Sequence, residues 1–189
     1  MEVVTFTTSK AFETWLKKHH DKVPGIWVRF FNKAHRESGQ KGITYAGALD
    51  VALCYGWIDS QTKGYDDVSH IQRYTPRGKR SVWSKRNREH IARLIKAKRM
   101  TKLGLAQVEA AKKDGRWAEA YDSSANMKIP PDFLDEIAKF KKAEAFFKTL
   151  NKSNLYAIGW RLQTARKPET RARRMQAILA KLKRGEKFH

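Results

Sequence analysis

Residues Trp57 to Thr75, WIDSQTKGYDDVSHIQRYT, form two strand-like runs on either side of Asp66-Asp67, and this limits the chain more than any other feature. Aspartates between β-branched and aromatic residues are turn chemistry, so the runs fold back on one another as antiparallel strands. Two strands alone are marginal in water. VPGIWVRFFNKA, bounded by Pro24-Gly25 and rich in aromatic and β-branched residues, supplies another. The register stays open: a three-residue loop centred on Asp66 sets Asp59 opposite Arg73, and a slip of one residue removes that pairing.

Helical signals lie on both sides. Thr8 can cap FTTSKAFETWLKKHH, which spaces Phe12, Trp15 and Leu16 helically and ends in basic residues that complement the helix dipole. Thr44 can cap ITYAGALDVALCYG, with Leu49, Ala52 and Leu53 on one face, and Gly56 can take the left-handed conformation that stops it. Ser84 can cap KRNREHIARLIKAKRM, whose Ile91, Leu94 and Ile95 make a narrow apolar stripe on a basic helix. Leu103–Lys113 reads as a helix ending at Asp114-Gly115, and Pro131 suits the first turn of PDFLDEIAKF. AEAFFKTL, NLYAIGWRLQTA and PETRARRMQAILAKLKRG complete the chain, the last with Met175, Ile178, Leu179 and Leu182 on one side and Gly185 past its end. The expected class is α+β, a small antiparallel sheet with helices followed by an all-helical carboxyl-terminal half. The expected division is an α+β domain at 1–118 and a helical region at 119–189.

With 189 residues, 41% of them hydrophobic, the chain can bury a core. Its formal charge is +21, unevenly spread: residues 1–66 carry 9 Lys/Arg and 7 Asp/Glu, 67–118 carry 15 and 4, and 119–189 carry 16 and 8. Such a field attracts polyanions and says nothing about fold. A single cysteine, Cys54, excludes an intrachain disulfide, and MEVVTFTTSK lacks the pattern of a secretory leader. The most apolar segment, Ala46 to Ile58, is interrupted by Asp50 and is too short to span a bilayer. These features point to a cytoplasmic protein with no transmembrane segment.

No motif dictates a reaction. H-E-x-x-H, C-x-x-C, G-x-S-x-G, G-x-G-x-x-G and phosphate-loop patterns are all absent. His19-His20-Asp21 sits at a helix end where polar residues are solvated, and Cys54 lies among Leu53 and Tyr55 as a small core residue, so neither metal nor cofactor is expected. Anion binding is the stronger candidate. Arg73, Arg77, Lys79 and Arg80 fall in a strand end and loop, Ser84 opens a helix whose N–H groups favour an anion, and Tyr74 and Trp83 offer faces for stacking. Trp15, Trp27, Trp57 and Trp160 read as core residues, Trp83 and Trp117 as surface ones.

The candidate ligand-binding set is therefore Trp57, Asp59, Arg73, Tyr74, Arg77, Arg80, Trp83, Ser84 and Asn87, with an anionic small molecule or acidic protein as partner and nucleic acid as the alternative. An enzyme with a pocket at Trp57, Asp59 and Arg73, using Asp59 as acid or base, is a third reading. The final basic, amphipathic helix reads as completing a bundle rather than lying on a membrane.

Several motifs carry a family likeness: ALCYGWIDS, QRYTPRGKRSVWSKRN, RLIKAKRMTKLGLAQVEAAKKDGRW, YAIGW and ARKPETRARRMQAIL. In order and spacing, from Trp15 to Gly185, the chain resembles the bacterial YdeI/OmpD-associated family, also called bacteriocin-protection proteins. The resemblance implies a cytoplasmic α+β protein with a helical carboxyl-terminal half and a role in tolerating bacteriocins or cationic antimicrobial peptides. It implies no catalytic residues. The signature is densest at Gly56-Trp57-Ile58-Asp59, Thr75-Pro76-Arg77, Trp83-Ser84 and Asn87.

Overall fold

The computed structural model describes residues 1–188. Its elements run β1 (Val3–Thr5), α1 (Ser9–His19), β2 (Ile26–Phe31), α2 (Lys33–Glu37), α3 (Tyr45–Cys54), β3 (Trp57–Asp66), β4 (Ser69–Pro76), α4 (Lys85–Lys96), α5 (Lys102–Lys113), α6 (Pro131–Ala138), α7 (Lys141–Lys148), α8 (Lys152–Gln163) and α9 (Pro168–Lys183). The class is α+β, with the sheet and its helices first and helices thereafter. The chain divides into two compact units, Met1–Ser81 with Glu89–Trp117, and Val82–Arg88 with the chain from Ala118 onward.

In the first unit the strands lie in the order β1-β2-β4-β3. The hairpin β3–β4 and the pair β2–β4 are antiparallel, as the alternation requires, while the short edge strand β1 runs parallel to β2 and makes the sheet mixed. Along β2, Ile26, Val28 and Phe30 point into the core, where Phe12 and Leu16 of α1 are fully buried. Helix α3 is buried at every residue from Ala48 to Cys54, so its apolar residues surround the axis instead of forming one stripe. Thr8 and Thr44 accept hydrogen bonds from the N–H groups of Ala11 and Gly47, as cap chemistry predicts. Gly56, at φ +73°, stops α3 in the left-handed region and turns the chain into β3.

The helices α6, α7, α8 and α9 of the second unit share a core that includes Phe133, Ile137, Ala143, Ile158, Leu162, Ile178 and Leu182. The pair α7·α9 is in contact, as are α6·α7 and α8·α9. Pro131 occupies the first turn of α6, and Asn151 caps α8 by accepting from the Asn154 N–H.

Candidate functional site

The hairpin register decides the fate of Asp59. The tight turn falls at Asp67-Val68, between the paired Asp66 and Ser69, and two bulges in β3 then shift the pairing so that Asp59 lies opposite Tyr74. The Asp59–Arg73 pairing does not form. Asp59 instead accepts from the Tyr45 hydroxyl at 2.9 Å and from Gln72 Nε2 at 3.2 Å. Both partners are fixed on neighbouring elements, which is how a structural carboxylate is held.

Trp57 is 1% exposed, and its indole N–H donates to the His20 carbonyl at 3.2 Å. Tyr74 has no exposed surface, so it offers no face for stacking. Its hydroxyl is buried without a hydrogen-bond partner, and that burial, with Asp59 and Tyr45 as lesser influences, pushes its pKa far above the ordinary phenol range. Arg73 is half-buried on β4, and its Nε likewise lacks a hydrogen-bond partner. Arg77 is 6% exposed, and its amide donates to the Gly56 carbonyl at 3.0 Å. It belongs to the scaffold and not to a surface that could meet a large anion.

Beyond Arg77 the chain makes a turn closed by Ser81 N–H to the Gly78 carbonyl and by Gly78 N–H to the Ser81 hydroxyl. Arg116, itself buried, holds the turn through the Ser81 carbonyl at 3.0 Å while its Nε bonds both carboxylate oxygens of Asp114. Lys79 and Arg80 are exposed at the tip.

Trp83, Ser84 and Asn87 belong to the second unit, whereas the other six residues of the candidate set belong to the first. Trp83 is 2% exposed and anchors its segment instead of lying on the surface, and its carbonyl accepts from the Tyr121 N–H. Ser84 caps α4 by accepting from the Asn87 N–H at 3.0 Å. The amide of Lys85 goes to the Tyr121 carbonyl and that of Arg88 to the Ser84 carbonyl, so the first turn of α4 has already used much of its capacity for an anion. Lys85 Nζ pairs with Asp122 at 2.6 Å, while Arg86 stands exposed beside it.

Two features escaped the sequence. In the first unit, a polar cavity of about 270 Å³ is lined by Glu13, Val51, Cys54, Tyr55, Lys98 and Arg99. Burial pushes the Cys54 thiol up to about 11, and the Tyr55 hydroxyl faces Glu13 at 3.5 Å. Close by, the buried Asp50 carboxylate accepts from Arg93 at 2.5 Å and from Arg99 at 3.5 Å. In the second unit, a cleft of about 500 Å³ opens between α8 and α9, with Trp160 on its wall. Trp160 is half-buried rather than a core residue. The alanines of RMQAILAKLKR were the one available sign of a groove. Among the described residues, no group of three or more His, Cys, Asp or Glu side chains could hold a metal, and no helix is long and apolar enough to cross a membrane.

An α+β first unit with a buried signature segment and a helical second unit together define the class; the two family matches follow this division except that the first also takes in Val82–Arg88 of the second unit. Residues 4–107, more than half of the chain, match the family described as Domain of unknown function (DUF8412), and the chain belongs to that family. Residues 126–185 match the family described as Bacteriocin-protection, YdeI or OmpD-Associated, so a bacteriocin-protection domain is present. That second match contains YAIGW and ARKPETRARRMQAIL, whereas ALCYGWIDS and QRYTPRGKRSVWSKRN lie in the first. No curated protein and no solved structure matches the chain.

Proposed function

We propose that the chain is a non-enzymatic, cytoplasmic protection protein that gives tolerance to bacteriocins or cationic antimicrobial peptides by binding anionic partners at exposed cations of each unit taken by itself, Lys79 and Arg80 on the first and Arg86 on the second. One observation carries this reading: all three side chains are exposed, and among the described residues none pairs with a carboxylate. By contrast the exposed Lys85 is paired with Asp122 at 2.6 Å, so its charge is already compensated. Uncompensated surface cations add self-repulsion to the folded state and are available to an external anion. Trp57, Asp59, Arg73, Tyr74 and Arg77 belong to the scaffold of the first unit and Trp83 to that of the second.

The variant Lys79→Ala/Arg80→Ala/Arg86→Ala tests this. Exposed substitutions of this kind shift stability by roughly 0.5 kcal/mol or less each, so the thermal midpoint should hold while cells expressing the variant become as sensitive to bacteriocin as cells lacking the protein. Undiminished protection would sink the proposal. Titration with short DNA and RNA at low salt separates a nucleic-acid partner, which would give binding that weakens steeply with salt.

A further inference from the structure

We propose that the cleft between α8 and α9 binds a small amphiphilic anion, one negative head on an apolar body, of which a free medium-chain carboxylate is the simplest example. At about 500 Å³ the cleft falls within the range of small-molecule sites, roughly 300–1,000 Å³. Ile178, 1% exposed, gives an apolar floor; Ala177 and Ala180 line the cleft on the same helix, and their short side chains leave the groove open. The aromatic walls are Trp160 and Phe188. Phe188 is fixed by its N–H to the buried Asn154 Oδ1 at 2.8 Å, and the Arg161 guanidinium lies 4.4 Å from its ring centroid.

Four cations line the same space: Arg161, Arg174, Lys181 and Arg184. Lys181 and Arg184 share one carboxylate, Glu186, at 3.8 and 2.6 Å. The two half-buried guanidiniums are held differently. Arg161 donates to the Ala157 carbonyl at 3.0 Å, and Arg174 donates to the Arg161 carbonyl at 2.8 Å and the Thr164 hydroxyl at 3.0 Å. Neither meets a carboxylate among the described residues. Neutral acceptors orient a guanidinium without cancelling its charge, and beside an apolar floor that charge is incompletely screened.

The combination selects the ligand. A small polar anion such as phosphate leaves the apolar floor in water, and a neutral hydrocarbon leaves both guanidiniums without a counter-charge. An amphiphilic anion satisfies both, its head accepting charge-assisted hydrogen bonds and its body covering Ile178 and the alanines.

Calorimetric titration of the full chain with dodecanoate, kept below its micelle concentration, tests the site. One dodecanoate should bind per chain, while acetate and dodecyltrimethylammonium give no saturable heat. Arg161→Gln, whose amide can still donate to the Ala157 carbonyl, should weaken binding by roughly tenfold or more, the size of one charge-assisted hydrogen bond. Ala177→Phe fills the groove without touching a charge and should weaken binding to a similar extent with an unchanged circular-dichroism spectrum, whereas Lys79→Ala/Arg80→Ala/Arg86→Ala should bind as the parent does. Equal affinity in the parent, Arg161→Gln and Ala177→Phe overturns the proposal. So does binding of many dodecanoates with no saturable first one, or binding to anionic lipid vesicles without binding of the monomer.

Discussion

Gly104→Ala sets two opposite effects against each other, and the structure says which wins. Alanine is the better helix former by about 1 kcal/mol in a helix interior, and Gly104 lies in α5 with its N–H bonded to the capping Thr101 hydroxyl. Propensity alone predicts a stabler protein. But a Cβ at this position would sit 2.4 Å from the Cys54 carbonyl oxygen and 2.7 Å from that of Leu53, both backbone atoms at the end of the fully buried α3. Carbon-to-oxygen contacts of this kind settle at about 3.3 Å or more, so α5 must retreat by roughly 0.9 Å. That motion stretches the bonds that Thr101 makes to the Cys54 carbonyl, 2.6 Å from its hydroxyl and 3.2 Å from its amide. Overpacking costs about 1–3 kcal/mol and a lost hydrogen bond about 1 kcal/mol. Set against the propensity gain, the net loss is about 2 kcal/mol, or roughly 4–8 °C in thermal midpoint for a chain of this length. Gly64, in β3, has nothing within 4 Å of its would-be Cβ, so Gly64→Ala should be neutral or raise the midpoint slightly. Thermal unfolding followed by circular dichroism compares the two. A Gly104→Ala midpoint equal to or above the parent's would refute the close-approach argument.

Asp50→Asn should lower stability to urea by about 1–2 kcal/mol, less than a fully buried pair would lose, because the Arg93 and Arg99 side chains are 54% and 45% exposed and solvent screens them. A loss below about 0.5 kcal/mol would mean the cluster contributes no more than an ordinary surface pair. Burial raises the Cys54 thiol from 9.0 to about 11, so its contribution to stability is complete below pH 9 and disappears as pH climbs from 9 to about 11. Cys54→Ala should flatten the alkaline limb of a midpoint-against-pH curve. On the acid side, hydrogen bonds from Lys85 and Gln163 hold Asp122 below its ordinary 3.8 against the opposing effect of burial, so its contribution is present above that value and is lost as pH falls. Lys85→Met should therefore reduce the acid sensitivity of the second unit, read from acid titration of its helical signal.

Where a single side chain makes the decisive contact with its own backbone neighbourhood, the sequence was enough. Thr8, Thr44 and Ser84 cap the helices they precede, and Gly56 and Gly185 take positive φ where their helices stop. The likeness to the bacteriocin-protection family is likewise borne out over residues 126–185. What depended on distant partners was hidden. The three residues of β1 are too few to show a period and gain strand structure only by pairing with β2. The bulges that move Asp59 from Arg73 to Tyr74 leave no mark in the alternation around Asp66-Asp67. Arg77 and Trp83 look like surface residues because they stand in a basic run, yet each is a buried anchor, while the exposed charges of that run are Lys79, Arg80, Lys85 and Arg86. Neighbouring sequence assigned them to one site, but the fold placed them in separate units.

The placement of charge along the helices sharpens the functional reading. Helices α1, α5, α8 and α9 all carry Lys, Arg or His in the last turn, where cations complement the negative end of the dipole. Helices α6 and α9 have Asp132 and Glu169 in their first turns, the favourable arrangement at the positive end. An acidic first turn is not general, since α1, α2, α3, α5 and α8 lack one as well, but α4 goes furthest the other way, beginning Lys85, Arg86, Asn87, Arg88. Each exposed cation there costs a few tenths of a kcal/mol or more against the dipole, and Lys85 recovers that loss through Asp122. The dipole therefore explains the basic residues in the last turns but not the run of them, Arg86 included, in the first turn of α4. Local rules are broken most often where a sequence answers to something other than its own folding. An external anion beside Arg86 would relieve both the unfavourable dipole and the missing counter-charge, so phosphate or a polyanion should raise the thermal midpoint of the parent chain more than that of Arg86→Ala.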